Sequence, residues 1–347
     1  MSTPRTSPEI GGMGHSMKRK EDPRFIRGQG TFVDDVTLPG MLYMDIVRSP
    51  FAHARIKKID TAAALKVPGV LAVITGETLA QFKLHWMPTL MSDTQMVLPV
   101  EKVMYQAQEV AAVIATDRYT AADGVAAVEV DYEPLPVLVD PFKAMEPGAI
   151  VLRTDKPGKK DNHIFHWEVG DRAATDKAFK NAAAVVKQRI YIPRIHVASI
   201  ETCGCVASFN KTDGKLTVWM TTQAPHAIRT VFALVAGHVG LSEEKIRIIS
   251  PDIGGGFGGK VPVYPGYVIA VAASVVTGKP IKWIEDRMEN LQADSFARDY
   301  HMDAELAADE ARVLLALHGV AHAADFRICS QLIHASSPQR TGRPSRC

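Results

Sequence analysis

Residues 250–267 read SPDIGGGFGGKVPVYPGY, and this stretch does most to decide the fold. Five of the six residues from Gly254 to Gly259 are glycine, and the sixth is Phe257. Glycine has no Cβ atom, so such a loop can take positive φ angles and approach a ligand or another backbone closely. The predicted strand KIRIIS (245–250) leads directly into the loop, and the apolar run GYVIAVAASVVTGKP (266–280) after it predicts a helix.

One interpretation of the loop is a phosphate-binding loop of the pattern GxxxxGK[ST]. Gly254, Gly259 and Lys260 fit that pattern, but Val261 stands where a hydroxyl should ligate magnesium. The motif also needs a helix that begins at the lysine, so that backbone N–H groups converge on the phosphate. The prolines of VPVYPG (261–266) delay any helix, so the sequence fits this pattern poorly.

A second interpretation is the dinucleotide-binding pattern GxGxxG, which the loop also satisfies. An acidic residue should then follow about 20 residues later, and Glu285 and Asp286 come somewhat late. In a third interpretation, the glycines turn Phe257 outward as the apolar wall of a pocket for a large planar cofactor. The remaining alternative is a glycine-rich turn in which Phe257 is buried.

The composition is typical of a soluble globular protein and gives no reason to expect several classes of partner. Hydrophobic residues make up 46% and charged residues 22% of the 347 residues, with a net charge of +2, so nucleic acid is not expected. No apolar run approaches the roughly 18 residues that span a bilayer, and no apolar stretch follows the basic residues near the amino terminus. We therefore expect no transmembrane segment, no signal peptide and a cytoplasmic location.

Composition shifts divide the chain into five parts. Residues 1–22 predict a mobile arm, 23–139 an α/β domain, 140–162 a linker, 163–310 a second domain and 311–347 a tail. The first domain is expected to fold independently, because its strands and helices look complete. The tail has five arginines and one acidic residue, which indicates either a disordered basic segment or the product of another reading frame or a truncated gene.

Local patterns place the secondary structure. Leu216, Val218 and Met220 share one face of a predicted strand, and Pro225 stands at a favourable first position of a helix. The predicted strands cover 40–49, 69–76, 109–116, 128–140, 184–192, 214–223, 245–250 and 281–286. The predicted helices cover 60–69, 117–128, 171–183, 225–240 and 266–280.

Several stretches together resemble the xanthine dehydrogenase and aldehyde oxidase family. GGGFGGK, preceded by SPDI, is similar to the molybdenum-cofactor loop of that family, and EDPRFIRGQGTFVDDVTLPGMLYMDIVRSPFAHARI resembles its amino-terminal hammerhead domain. VEVDYEPLPVLVD, TTQAPHAIR and EDRMENLQADSFARDYHM also match family patterns. The resemblance runs from about residue 13 to about residue 310. Within the family it is greatest to the large chain of the molybdenum-containing carbon monoxide dehydrogenases.

The resemblance implies an α+β fold: an α/β hammerhead domain followed by the first part of a molybdenum-cofactor-binding domain. It implies a molybdenum–pterin cofactor, expected as the cytosine dinucleotide form. Gly256, Phe257 and Gly258 are expected nearest the metal, with Gly255 also in the cofactor site. The Gln223 amide is expected to donate to a molybdenum oxo ligand. Without the resemblance, Gln223 would be interpreted as a surface or capping residue.

The resemblance also implies partners and a reaction. We expect a separate iron–sulfur small subunit and an FAD-binding medium subunit, with carbon monoxide or a related small molecule as substrate. The glutamate base of the family, and the copper-binding cysteine of its carbon monoxide branch, lie beyond the stretch that matches here. The catalytic set in this chain is therefore expected to be incomplete, and copper is expected only in the full-length protein. The alternatives are an aldehyde or N-heterocycle hydroxylase subunit and a non-catalytic fragment that binds partner subunits without cofactor.

Other candidate residues favour structural roles. Cys203 and Cys205 would point to one face of a strand, and with no second ligand pair we expect buried cysteines rather than a metal site. His226 at a helix start is expected to be structural. Lys260 could hold an anion or form an ion pair. The segment EDRMENL (285–291) is expected to be solvated and ion-paired, without a chemical role.

Overall fold

A computed structural model describes residues 16–89, 93–164, 166–311, 314–323 and 331–336. In these residues the chain is a mixed α and β protein, as predicted, and none of the helices there is long and apolar enough to cross a membrane. The helices are α1 (Asp22–Phe25), α2 (Gly76–Gln81), α3 (Arg118–Ala126), α4 (Arg172–Lys180), α5 (Pro225–Ala236), α6 (Pro265–Thr277) and α7 (Arg287–Ala293). The strands are β1 (Leu42–Arg48), β2 (Ala54–Asp60), β3 (Val70–Thr75), β4 (Trp86–Pro88), β5 (Thr94–Met96), β6 (Lys102–Val103), β7 (Glu109–Ala115), β8 (Glu129–Pro134), β9 (His166–Trp167), β10 (Ala184–Ile192), β11 (Gly204–Asn210), β12 (Lys215–Met220), β13 (Ile246–Ile249), β14 (Ile281–Ile284), β15 (Tyr300–Ala308), β16 (Leu314–Ala323) and β17 (Gln331–Ser336).

The main sheet has seven strands in the order β13-β12-β11-β14-β1-β7-β3. β12 pairs with β13 in parallel, as β1 does with β14, and the other neighbours are antiparallel. Every residue of β7 is buried, as expected for the uninterrupted apolar run EVAAVIA. On β12, Leu216, Val218 and Met220 are fully buried, so the predicted apolar face is confirmed.

Helices α5 and α6 share the largest apolar cluster with residues of β11, β12, β14, β1 and β7. Helix α6 is apolar almost all round, and such a helix belongs in a core. Gly266 lets its first turn lie against β14, because a Cβ atom there would lie 2.3 Å from the ring of Trp283. This contact fixes the point at which the chain leaves the glycine-rich stretch.

Residues 23–139 were expected to contain all the strands that their own domain needs, and the main sheet contradicts this expectation. Strand β1 pairs on one side with β7 and on the other side with β14, with Leu42 opposite Ile281 and Met44 opposite Trp283. The apolar cluster is also shared, since it contains Met44 and Ile114 together with Trp283. The two halves of the chain therefore share the main sheet and its largest apolar cluster.

Residues 314–323 and 331–336 contradict the disorder expected for 311–347. Strand β16 pairs antiparallel with β15 from Leu314 to Ala323, which places it inside a five-stranded sheet of order β10-β15-β16-β17-β9. The arginine-rich composition did not show this pairing, because the ladder depends on a neighbouring strand rather than on the tail itself. Cys329, Cys347 and residues 1–15 of the expected arm lie outside the described residues.

The linker and the first predicted helix also differ from expectation. Residues 60–69 contain only a 3-10 turn at Ala64–Lys66, because Pro68 and Gly69 follow too closely for a helix. The linker has little regular structure, as expected, but polar side chains hold it in place. Asn162 is 1% exposed and donates to the carbonyl oxygens of Ala144 and Ile150.

Candidate functional site

The glycine loop (residues 254–260) joins β13 to α6. Strands β12 and β13 are parallel neighbours, with Leu216 opposite Ile246 and Trp219 opposite Ile249. The segments that follow two parallel neighbours leave the sheet at the same end, which is where ligands bind in many open sheets. Residues 221–223, after β12, therefore lie beside the glycine loop.

The side chain of Gln223 is bound to the loop by its oxygen atom. Gln223 Oε1 accepts hydrogen bonds from the backbone N–H of Gly258 at 3.0 Å and of Lys260 at 3.3 Å. The backbone N–H of Gln223 donates to the Lys260 carbonyl oxygen at 2.9 Å. A Cβ atom on Gly256 would lie 2.5 Å from Gln223 Cδ, so a side chain there would displace Gln223. Because Oε1 is engaged, the amide NH₂ group is the part of this exposed side chain left to donate to a ligand.

Phe257 has an unusual backbone conformation and an exposed ring. Its φ angle is 50°, in the left-handed region that a bulky residue seldom adopts, and the residue is 76% exposed. The alternative in which Phe257 is buried in the turn is therefore wrong. Strained backbone and an exposed aromatic ring cluster at binding sites.

The loop leaves a row of backbone donors without a partner in the described part of the chain. The N–H groups of Gly254, Gly258, Gly259 and Lys260 are used in hydrogen bonds within this region. Among the described residues, none accepts from the N–H groups of residues 255–257. These three donors, the Gln223 amide and the Phe257 ring form the candidate site.

Lys260 anchors the loop instead of holding an anion. It is 2% exposed, and its Nζ lies 2.8 Å from Glu201 Oε2. The same carboxylate oxygen accepts from the backbone N–H of Gly254 at 2.8 Å. Glu201 therefore ties the first residue of the loop to the last.

The two phosphate-binding interpretations do not fit this geometry. Both need a helix that begins within the glycine pattern. Here α6 begins only at Pro265, and Tyr264, at the residue before it, donates to the Gly259 carbonyl oxygen at 2.6 Å. The lysine that would meet a phosphate is buried against Glu201.

The amino-terminal segment is attached to Asp252, two residues before the loop. The Arg24 guanidinium donates to both carboxylate oxygens of Asp252, and the backbone of Thr31 exchanges hydrogen bonds with Asp252. The hydrogen bond from Arg24 lowers the pKa of the Asp252 carboxyl below its usual value. This pairing holds residues 24–31 beside the site.

Two supports of the site, Glu201 and Arg287, were missed by sequence reasoning. EDRMENL was expected to be a solvated segment, but it contains the start of α7, where Asp286 and Glu289 form a capping box. Arg287, in the first turn, donates to the carbonyl oxygens of Ser199 and Ile200. The acidic pair three residues apart signals the helix start, whereas no local pattern shows which carbonyls the arginine meets.

The other candidates stay structural. Cys203 and Cys205 are buried as expected, and burial raises the pKa of both thiols. Ligand atoms of Cys203, Glu285 and Asp294 lie within 4.8 Å of one another, but the thiol donates to Asp294 Oδ2 at 3.4 Å. A thiol with a raised pKa is a poor metal ligand. His226 is exposed in the first turn of α5.

Two family models match the chain. One, described as "Molybdopterin cofactor-binding domain", matches residues 156–324 and includes the glycine loop and Gln223. The other, described as "Aldehyde oxidase and xanthine dehydrogenase, a/b hammerhead domain", matches residues 27–136. Together they account for both halves of the main sheet.

The chain is also similar to part of several longer proteins. The chain is 56% identical over 308 residues to the carbon monoxide dehydrogenase large chain of Hydrogenophaga pseudoflava, which is 86% of this chain and 38% of that one. It is 35% identical to the nicotine 6-hydroxylase large subunit of Paenarthrobacter nicotinovorans, covering 86% of this chain and 36% of that one. A structure of reconstituted CO dehydrogenase from Oligotropha carboxidovorans matches with a TM-score of 0.83 and 50% identity, over 94% of this chain and 44% of that chain. The chain thus spans less than half the length of each of these proteins.

Proposed function

Because the chain belongs to the xanthine dehydrogenase and aldehyde oxidase family, we propose that the glycine loop and Gln223 bind a molybdenum–pterin cofactor. When bound, this group supplies the redox centre that takes electrons from the substrate. Gly255, Gly256, Phe257 and Gly258 would line it, with Gln223 as a side-chain donor. The cytosine dinucleotide form of the pterin is the form we propose.

The observation that carries the proposal is the fixed direction of the Gln223 amide. Its oxygen is held by the N–H groups of Gly258 and Lys260, so the neutral NH₂ group can donate to an oxo ligand without adding charge. The unused N–H groups of residues 255–257 provide further donors for an electron-rich group. The exposed Phe257 ring can shield such a group from water.

We propose that the chain represents part of a molybdenum hydroxylase large subunit that oxidises carbon monoxide or a related small substrate. The 56% identity to a carbon monoxide dehydrogenase large chain supports this substrate more than the 35% identity to a nicotine hydroxylase supports a heterocycle. Electrons would pass to separate iron–sulfur and FAD-binding subunits, in the cytoplasm. Copper would belong only to the longer protein of the carbon monoxide branch.

The test is the molybdenum and pterin content of the 347-residue chain, purified from a host that makes the cofactor. We expect bound molybdenum in the wild type and a clear loss in Gln223→Ala, with a fall of only a few degrees (~2–6 °C) in melting temperature, because the side chain accepts two hydrogen bonds from the loop. Gln188→Ala, an exposed glutamine on β10, is the matched control and should retain the metal. A wild-type chain without molybdenum would refute cofactor binding and favour the non-catalytic alternative.

A further inference from the structure

The glycine loop rests on an irregular segment, residues 196–201, which we call the supporting segment. Three loop glycines touch it. A Cβ atom on Gly254 would lie 2.5 Å from Glu201 Cβ, one on Gly259 would lie 2.5 Å from Val197 Cγ2, and one on Gly255 would lie 3.4 Å from Ser199 Cβ. The shape of the loop is therefore set by where the supporting segment lies.

Polar contacts join the same two segments. Glu201 accepts from the backbone N–H of Gly254 and from Lys260 Nζ, and the Glu201 N–H donates to the Gly254 carbonyl oxygen at 3.1 Å. Charge-assisted hydrogen bonds of this kind are stronger than neutral ones. A displacement of Glu201 would thus move both ends of the glycine loop.

The supporting segment has no helix or ladder of its own to hold it. Residues 196–201 have no helical or strand structure, and Ala198 has a φ angle of 42°. A residue held in that region needs its surroundings to keep it there. Contacts with other parts of the chain must therefore fix this backbone.

Helix α7 makes those contacts at two points. Arg287 Nη2 donates to the carbonyl oxygens of Ser199 at 2.5 Å and Ile200 at 2.6 Å, while its Nη1 donates to Asn290 Oδ1 at 2.6 Å. His196 Nδ1 accepts from the N–H of Ala198, so its Nε2 carries the hydrogen and donates to the Asn290 carbonyl oxygen at 2.9 Å. Both contacts clamp the supporting segment to α7.

We propose that Arg287 is a positioning residue for the cofactor site, acting through residues 199–201 on the glycine loop. The inference rests on the proposed cofactor binding. It assigns to α7 the task of holding Glu201 in place, on which both ends of the loop depend. Among the described residues, the guanidinium of Arg287 donates to Ser199, Ile200 and Asn290, so its effect on the loop is indirect.

The test is amide hydrogen exchange in the 347-residue chain, with Arg287→Lys as the main variant. Lysine has one ammonium group in place of the planar fork that reaches two carbonyls and Asn290 at once. We expect the hydrogen-bonded N–H groups within residues 197–201 and 254–260 to exchange faster by on the order of tenfold, the effect of losing one or two charge-assisted hydrogen bonds. Met288→Ala, a 61% exposed neighbour on α7, is the control and should leave both segments unchanged.

Each outcome decides the proposal. Faster exchange confined to the two segments supports it, whereas unchanged exchange of residues 254–260 overturns it. Faster exchange throughout the chain also overturns it, because Arg287 would then only stabilise the fold. Arg287→Met should show a larger effect in the same segments; if that variant does not fold, Arg287→Lys decides alone.

The molybdenum content of the same samples separates this inference from the proposed function. Loss of metal in Arg287→Lys, together with a loosened loop, supports both. A loosened loop in a protein whose wild type binds no molybdenum refutes the cofactor and keeps the role of Arg287 in placing the loop. Normal metal and an unchanged loop in Arg287→Lys refute the inference and keep the cofactor.

Discussion

At the scale of single residues, the glycine loop depends on one position where a side chain cannot be added without displacing Gln223. In Gly256→Ala the new Cβ would lie 2.5 Å from both Cδ and Oε1 of Gln223. The Gln223 side chain would have to turn away and lose its hydrogen bonds from Gly258 and Lys260. We expect a loss of about 1–2 kcal/mol in the free energy of unfolding, since each such bond contributes about 0.5–1.5 kcal/mol.

Chemical denaturation measures this loss, and Gly237→Ala provides the control. Gly237 has no atom within 4 Å of its Cβ position and no positive φ angle, so alanine there should be neutral or slightly stabilising. Equal stabilities of Gly256→Ala and wild type would show that Gln223 is not bound to the loop as described.

The residues of the site differ in how far the sequence could predict them. The glycines and Phe257 are neighbours in the chain, so the sequence could predict both the close approach of the loop backbone to other residues and the outward orientation of the Phe257 ring. Gln223 was identified only through the family resemblance. Glu201 and Arg287 were missed, because the first meets Gly254 53 residues away and the second meets Ser199 88 residues away. Such contacts follow from the fold and leave no local pattern.

At the scale of elements, the predicted strands and helices with a strong apolar pattern are confirmed, including β7, β12, α5 and α6. These elements form because apolar side chains are buried on them, and that burial produces a periodic apolar pattern in the sequence. The pairing of one strand with another produces a weaker pattern in the sequence. Nothing in the run around β1 shows that its second neighbour is β14, more than 230 residues away. The arginine-rich composition of residues 311–347 also does not show that β16 lies beside β15.

Arg48 joins these elements and gives a prediction at their scale. It lies on β1, and its guanidinium contacts Glu109 of β7 at 3.0 Å, Glu285 at 3.5 Å and Glu289 of α7 at 2.7 Å. Burial by itself would lower the pKa of Arg48, but the three carboxylates outweigh that effect and hold its pKa above the usual value, so it is always charged. We expect Arg48→Met to lower the free energy of unfolding by about 3–5 kcal/mol, because it leaves buried carboxylates without their cation.

The matched control for Arg48→Met is Arg55→Met on β2. Arg55 pairs with Glu133 at the surface, where its side chain is 60% exposed, and exposed pairs contribute about 1 kcal/mol or less. Denaturant titrations of both variants give the comparison. If the two variants lose the same small amount, the Arg48 cluster does not join the two halves of the chain.

At the scale of the whole molecule, the stretches matched by the two family models share the main sheet and its largest apolar cluster. The linker composition suggested a boundary near residues 140–162, but the main sheet and its apolar cluster cross that boundary. Residues 16–139 contribute only β3, β7 and β1 to the sheet, and β1 would be left with an open edge where β14 now pairs. An edge of this kind with an apolar face is unstable in water and prone to aggregate.

We therefore expect a fragment of residues 16–139, expressed alone, to lack a cooperative unfolding transition. Met44, Ile46 and Ile114 would lose the members of their apolar cluster that lie on β11, β14 and α6. Near-ultraviolet circular dichroism during a urea titration measures the transition, and the 347-residue chain is the control, for which a sigmoidal curve is expected. A sharp transition in the fragment would mean that the first domain completes its own core after all. The pairing of β1 with β14 would then be a docking contact between two finished domains, and the loss expected for Arg48→Met should fall accordingly.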